Sequence, residues 1–270
     1  MYAATIPSVL TFLTLQFNRG CSFSSLNSYR AAISQILGPN LSDDFRIKRL
    51  FKGLSSLRPP LPKYNKTWDP AIVLDYIKRL SQSPLNLENL TYKTAMLIAL
   101  ATGQRVQTLA SININDIHVF PDKLELVIKK KLKTSNINRT QHVLVLPFYT
   151  SDINICPAKS LLSYIEKTKE IRNSTSALFL TFKKPHRAAT TQSISRWLKG
   201  VLNRSGVDTD VFSAHSTRHA STSAADRKGV SYDTIRTAAG WTEKSKTFAV
   251  FYKKPLLSKE LDFANAVLDS

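Results

Sequence analysis

Between Arg58 and Pro62 the chain reads Arg-Pro-Pro-Leu-Pro, and this short run constrains what lies on either side of it. Proline has no backbone N–H and holds φ near about −65°, so no helix can pass through three prolines in four positions. With the polar residues that follow, 59–67 reads as a linker. The chain is therefore expected to fold as two parts, residues 1–58 and residues 68–270. At 270 residues and 43% hydrophobic it has enough apolar material to give each part a core.

Apolar spacing supplies the elements. Before the linker, Val9, Phe12, Leu13 and Phe17 recur at helical intervals, and Leu26, Tyr29, Ile33, Ile36 and Leu37 do so again. Ser25 and Asn27 are available to cap the second helix. A third run, Leu41 to Leu54, places Phe45, Ile47, Leu50, Phe51 and Leu54 on one face and basic residues including Lys48, Arg49 and Lys52 on the other. A helix is under way soon after Met1, so this first part is expected to lack an opening helix that a complete domain would have. After the linker, Trp68-Asp-Pro opens another helix, and Leu90 to Ala101 is apolar enough to be buried. Leu124–Lys129 and Gln141–Pro147 alternate as strands around the turn-forming stretch Thr134–Thr140. Helical patterning then returns in Ser193–Leu202, His215–Lys228 and Ser231–Ala239. The expected class is mainly α with a small β-sheet.

Charge narrows the function. Lys and Arg number 38 against 19 acidic residues, a net +19 with a pI near 10, which points to a polyanionic partner. The basic residues are spread through the chain and not gathered in a tail, which suits a folded surface closing on nucleic acid. A membrane is the competing polyanion, but there is no apolar run of about 18 residues and no lipidation motif. The expectation is a soluble, intracellular protein without membrane contact. Cys21 and Cys156 stand alone, without metal-site spacing, and read as reduced packing residues.

The residues able to do chemistry are Arg105 in Ala-Thr-Gly-Gln-Arg, Lys133 in Lys-Leu-Lys-Thr, His215 and Arg218 in His-Ser-Thr-Arg-His, Trp241 in Ala-Gly-Trp, and Tyr252 in Phe-Tyr-Lys-Lys-Pro. They are the parts of a metal-free phosphoryl transfer. Two guanidiniums can hold the non-bridging oxygens of a phosphodiester and stabilise charge that builds there. A phenol is a nucleophile once aligned and deprotonated, an imidazole assists the proton transfer, a lysine can protonate the leaving oxygen, and an indole N–H can donate to phosphate. Taken one at a time each residue has an ordinary reading: Arg105 as a solvated cap or a partner of Asp116, Trp241 and Tyr252 as packing. His215 and His219 are spaced like zinc ligands, but Ser216 stands where the protease pattern needs Glu, so no metal and no cofactor is expected.

In this order the set resembles the tyrosine recombinase family, relatives of phage integrases and type IB topoisomerases. The stretches Thr-Gly-Gln-Arg-Val-Gln-Thr, Arg58-Pro-Pro-Leu-Pro and Trp-Thr-Glu-Lys-Ser-Lys-Thr-Phe-Ala-Val-Phe-Tyr-Lys-Lys-Pro are similar to recombinases of eukaryotic DIRS- and Crypton-like mobile elements. The resemblance implies a helical core-binding domain over 1–58 and a catalytic domain of the DNA breaking-rejoining fold over 68–270. It implies that Tyr252 attacks double-stranded DNA to form a 3′-phosphotyrosine link, without metal or nucleotide, that a homotetramer assembles on paired DNA sites, and that a eukaryotic member works in the nucleus. Two features depart from the pattern. Thr108 stands where many members have an acid, and the interval from Trp241 to Tyr252 is slightly long. A decayed recombinase that only holds DNA and a topoisomerase-like enzyme are the competing readings.

The basic residues expected at the DNA backbone are Lys48, Arg49, Lys52, Lys129, Lys131 and Arg139, with Lys129, Lys131 and Lys133 on one strand face. If they neutralise phosphates, each should contribute about −0.9 to the slope of log K against log salt. For six to ten contacts, affinity for duplex DNA should fall by about 10³ to 10⁵ between 50 and 200 mM salt, as read by fluorescence anisotropy. A flat response would remove the charge argument.

Overall fold

The computed structural model describes residues 5–38, 40–59, 63–81, 84–131, 142–241, 252–256 and 268. Its contacts divide the chain into two compact units, residues 1–63 and 64–270. The division falls after Lys63, so Tyr64 to Thr67, assigned to the linker on composition, join the second unit. The reason is apolar burial: Tyr64 and Trp68 are both almost fully enclosed there.

The first unit contains α1 (Ile6–Asn18), α2 (Phe23–Leu37), α3 (Asn40–Asp43) and α4 (Phe45–Leu57). Short polar side chains set the starts: Thr5, Ser22 and Asp44 accept the backbone N–H of Ser8, Ser25 and Arg46. Ser22, and not Ser25 or Asn27, therefore caps α2. Asp44 breaks the third apolar run into two helices, which turns Phe45 outward at 72% exposure. Ile47, Phe51 and Leu54 of α4 meet Val9, Leu13, Leu26 and Leu41 in one core. The apolar stripe of α2 is only partly used, and Ile36 is 83% exposed. Lys48, Arg49 and Lys52 lie exposed on the opposite side of α4. Arg58 closes the unit by donating to the Cys21 carbonyl at 2.9 Å, with its guanidinium 4.2 Å from the Phe17 ring centre.

The second unit contains α5 (Pro70–Leu80), α6 (Leu87–Thr102), α7 (Val106–Leu109), β1 (Ile117–Val119), β2 (Lys123–Ile128), β3 (His142–Pro147), α8 (Pro157–Thr168), α9 (Thr191–Arg204), α10 (Ser216–Arg227) and α11 (Tyr232–Ala238). Helix α6 is the axis, packed by α8, α9 and α10, which is why its sequence is apolar nearly all round. Asn86 caps its start, and Gly103, at φ +58°, ends it in the left-handed conformation that glycine adopts without strain. The strands form an antiparallel sheet in the order β1-β2-β3, with Leu124 opposite Leu146 and Leu126 opposite Leu144 on the buried face. Three residues are too few for a period-two pattern, so β1 was not legible in the sequence. Strand β2 stops at Ile128, so Lys129 and Lys131 lie beyond it and do not share a strand face. Among the described residues no helix is long and apolar enough to cross a membrane.

One acid-sensitive contact lies at the start of α4. The Asp44 carboxyl is lowered from 3.8 to about 2, chiefly by its hydrogen bonds with the Arg46 side chain and also by the Arg46 N–H. A folded value below the unfolded one stabilises above about pH 4 and loses that contribution as pH falls toward 2. Asp44→Asn keeps a capping oxygen and removes the charge. It should flatten the loss of α4 amide protection between pH 4 and 2, read by hydrogen exchange on the whole chain.

Candidate active site

Three turns converge beside the end of α6. Arg105 follows Gly103-Gln104 and is the last residue before α7, half-buried. His215 stands at the start of α10, and helical spacing brings Arg218 and His219 one turn later onto the same side. Trp241 follows α11 after Gly240, which turns the chain at φ +71°.

Arg218 ties these turns together. It is 1% exposed, and its Nη1 donates to the Gly103 carbonyl at 2.7 Å and the Ala239 carbonyl at 2.8 Å. The turn before Arg105 and the turn before Trp241 thus share one donor. Its Nε and Nη2 have no hydrogen-bond partner among the described residues. Burial, then the nearby Arg105 charge, pulls its pKa down from 12.5 to about 10, while the Tyr252 hydroxyl acts in the opposite sense. It therefore stays cationic at neutral pH. A buried cation with open donors and, among the described residues, no carboxylate partner is an arrangement that favours an arriving anion.

Tyr252 lies against this cation. Its hydroxyl is 2.9 Å from His215 Nε2, and its ring stacks on His219 with centres 4.0 Å apart at 11°. Trp241 meets the same ring edge-on at 4.8 Å, and the Arg218 guanidinium lies 4.2 Å from the Trp241 ring centre and 5.4 Å from that of Tyr252. Ser223 holds the backbone: its hydroxyl donates to the Tyr252 carbonyl and accepts the Lys254 N–H at 3.1 Å.

Arg105, His215, Arg218, Trp241 and Tyr252 are thus brought to one place. Lys133 and Arg139 lie outside the described residues. Asp116 forms its ion pair with Lys129, so it is not the partner of Arg105 that an isolated reading allowed. Lys131 is exposed, and Lys48 pairs with Asp43 at 3.0 Å. Thr108 is buried in α7, with its backbone N–H bonded to the Arg105 carbonyl at 2.9 Å. Gln104, His142, Ser223 and Tyr64 went unnoticed in the sequence. Gln104 Nε2 donates to the Ala238 carbonyl at 2.6 Å, across 134 residues of chain, and no local pattern signals such a bond.

The phage integrase family model matches residues 73–255, and the chain belongs to that family, the tyrosine recombinases. Solved structures share its fold at low identity. The XerH site-specific recombinase bound to palindromic difH substrate, a post-cleavage complex, aligns at a TM-score of 0.62 and 13% identity, covering 99% of this chain and 73% of that one. The Tn1549 transposon integrase in complex with transposon right end DNA aligns at 0.60 and 14%, covering 99% and 86%. A lambda integrase dimer bound to a core site aligns at 0.51 and 19%, covering 93% and 80%. A search of curated proteins found no match.

Gly240 offers a test of how tightly the turns are packed. A Cβ at this position would come within 3.1 Å of His142 Cε1, in a backbone conformation that disfavours L side chains. Gly240→Ala should cost about 1–2 kcal/mol in urea unfolding and perturb the Trp241 fluorescence. A change under about 0.5 kcal/mol, the usual range for a neutral surface site, would show the turn to be slack.

Proposed function

We propose that the chain is a site-specific recombinase that cleaves and rejoins double-stranded DNA through a 3′-phosphotyrosine intermediate. The observation that carries this reading is the Tyr252 hydroxyl, 2.9 Å from His215 Nε2 and beside a buried Arg218 with two uncommitted donors. Arg105 and Arg218 hold the scissile phosphate, and the Trp241 indole lies beside them. The Tyr252 oxygen forms a bond to phosphorus as the bond to the 5′ oxygen breaks. The phenolic proton leaves toward His215, and the 5′ oxygen is protonated by Lys133, a role taken from the sequence resemblance. The phosphotyrosine conserves the bond energy, so rejoining by a 5′ hydroxyl needs neither ATP nor metal. His219, which stacks on Tyr252, serves the nucleophile and not a metal.

In this reading residues 1–58 form the core-binding domain, and the basic face of α4 with Lys48, Arg49 and Lys52 lies along the DNA backbone. Lys129, Lys131 and Arg139 would extend that contact in the catalytic domain. Solved relatives include a lambda integrase tetramer bound to a Holliday junction, and a tetramer on paired sites is proposed here by analogy. The stretches that resemble recombinases of DIRS- and Crypton-like elements are the support for a mobile element of that kind as the proposed source, and for a nuclear site of action.

The test is covalent capture. Full-length protein is incubated with a pool of nicked duplexes of randomised sequence, and adducts stable to denaturant are digested, mapped and sequenced. The expected adduct is on Tyr252, absent from Tyr252→Phe, and reduced by about 10² or more in Arg218→Lys, since a lysine cannot reproduce the guanidinium fork. An adduct that persists in Tyr252→Phe overturns the assignment. Salt-sensitive binding with no adduct from any sequence would instead identify a DNA-binding protein that does not cut.

A further inference from the structure

We propose that Tyr64, acting through His219, is a positioning residue for the Tyr252 nucleophile; the inference rests on the reading of Tyr252 given above. The Tyr64 hydroxyl is 2.7 Å from Ser213 Oγ and accepts the Ser213 N–H at 3.2 Å, just ahead of His215. Its ring meets His219 edge-on, with centres 5.2 Å apart at 79°. His219 in turn carries the face of Tyr252 at 4.0 Å. Three aromatic rings from residues far apart in sequence therefore stand in series, and the first of them lies immediately after the Pro-rich segment.

The neighbours of Tyr64 fasten the same two places. Trp68 Nε1 donates to Ser216 Oγ at 2.9 Å, at the start of α10. The Thr67 N–H donates to the Pro255 carbonyl at 2.9 Å, and Thr67 forms a parallel bridge with Leu256. Residues 64–68 are thus bonded both to the stretch that presents His215 and Arg218 and to the segment that follows Tyr252. The physical need is clear. Tyr252 stands directly before Lys253–Pro255, which belong to no helix or strand, and a phenol must be aligned within a fraction of an ångström for in-line attack. A flat ring stacked on its face restrains the orientation of the phenol, and Tyr64 packs against that ring.

The test uses full-length protein carrying Tyr64→Phe, Tyr64→Ala, His219→Phe or His219→Ala, with 3-fluorotyrosine at position 252 in a parallel set. Adduct formation is followed under single turnover at saturating nicked DNA, together with the Kd for DNA and the 19F resonance of residue 252. Tyr64→Ala and His219→Ala should slow adduct formation by about 10- to 100-fold at unchanged Kd, and should shift the resonance. His219→Phe, which keeps a flat ring, should recover most of the rate. Tyr64→Phe, which removes only the hydroxyl held by Ser213, should fall between wild type and Tyr64→Ala, and decides the matter if the alanine variant fails to fold. Wild-type rate and resonance in the Tyr64 variants overturn the proposal. If wild type itself gives no adduct, the nucleophile reading fails, while an unmoved resonance in Tyr64→Phe and Tyr64→Ala still separately rejects the positioning role.

Discussion

Arg218 is a cation taken almost completely out of water, and desolvating a charge is among the larger costs a fold can carry. Two backbone carbonyls offset part of it, one at the end of α6 and one at the end of α11. Because both carbonyls end helices, where backbone acceptors lack partners within the helix, the bonds satisfy the helix termini as well as the side chain. The path of the chain before Arg105 and before Trp241 follows from this one group. What the carbonyls leave unused is a pair of N–H donors beside the Tyr252 ring. The contact that shapes the site and the charge that makes it attractive to an anion therefore have the same origin.

Around that cation the site is mostly aromatic. The rings of Trp241 and Tyr252 lie against the guanidinium and each other, His219 stacks on Tyr252, and Tyr64 stands behind His219. Ring faces stabilise a cation without neutralising it, so the positive charge survives burial. A carboxylate in their place would have satisfied Arg218 and quenched its attraction for phosphate. Buried donors left open are a stability cost of the kind that functional sites retain and packing elsewhere offsets. Here the offset comes from α6, whose apolar faces meet α8, α9 and α10.

The two units answer differently to the same kind of sequence. In the second, a long apolar helix found neighbours on every side. In the first, α2 and α4 have apolar residues that remain outside the core, including Ile36 and Phe45. Helical periodicity reports which residues share a face, but not how much of that face a neighbour will cover.

The sequence by itself determined most of the helices, because a period of 3.6 and a capping residue are local properties, and it determined that α4 would not run past Leu57 into Pro59, because proline acts on its own backbone. It also supplied Arg105, His215, Arg218, Trp241 and Tyr252 as an ordered set of groups suited to one chemistry. Ser22 in place of Ser25 as a cap, the break at Asp44 and the three-residue β1 were misread or missed, since each depends on which of several competing local bonds the packed structure selects. Only the tertiary structure decided that Asp116 takes Lys129, that Arg218 is the shared anchor of two turns, and that Tyr64 from the supposed linker stands behind His219. Those outcomes rest on contacts between residues up to about 150 positions apart, and nothing within a helical turn of sequence encodes a distance of that kind.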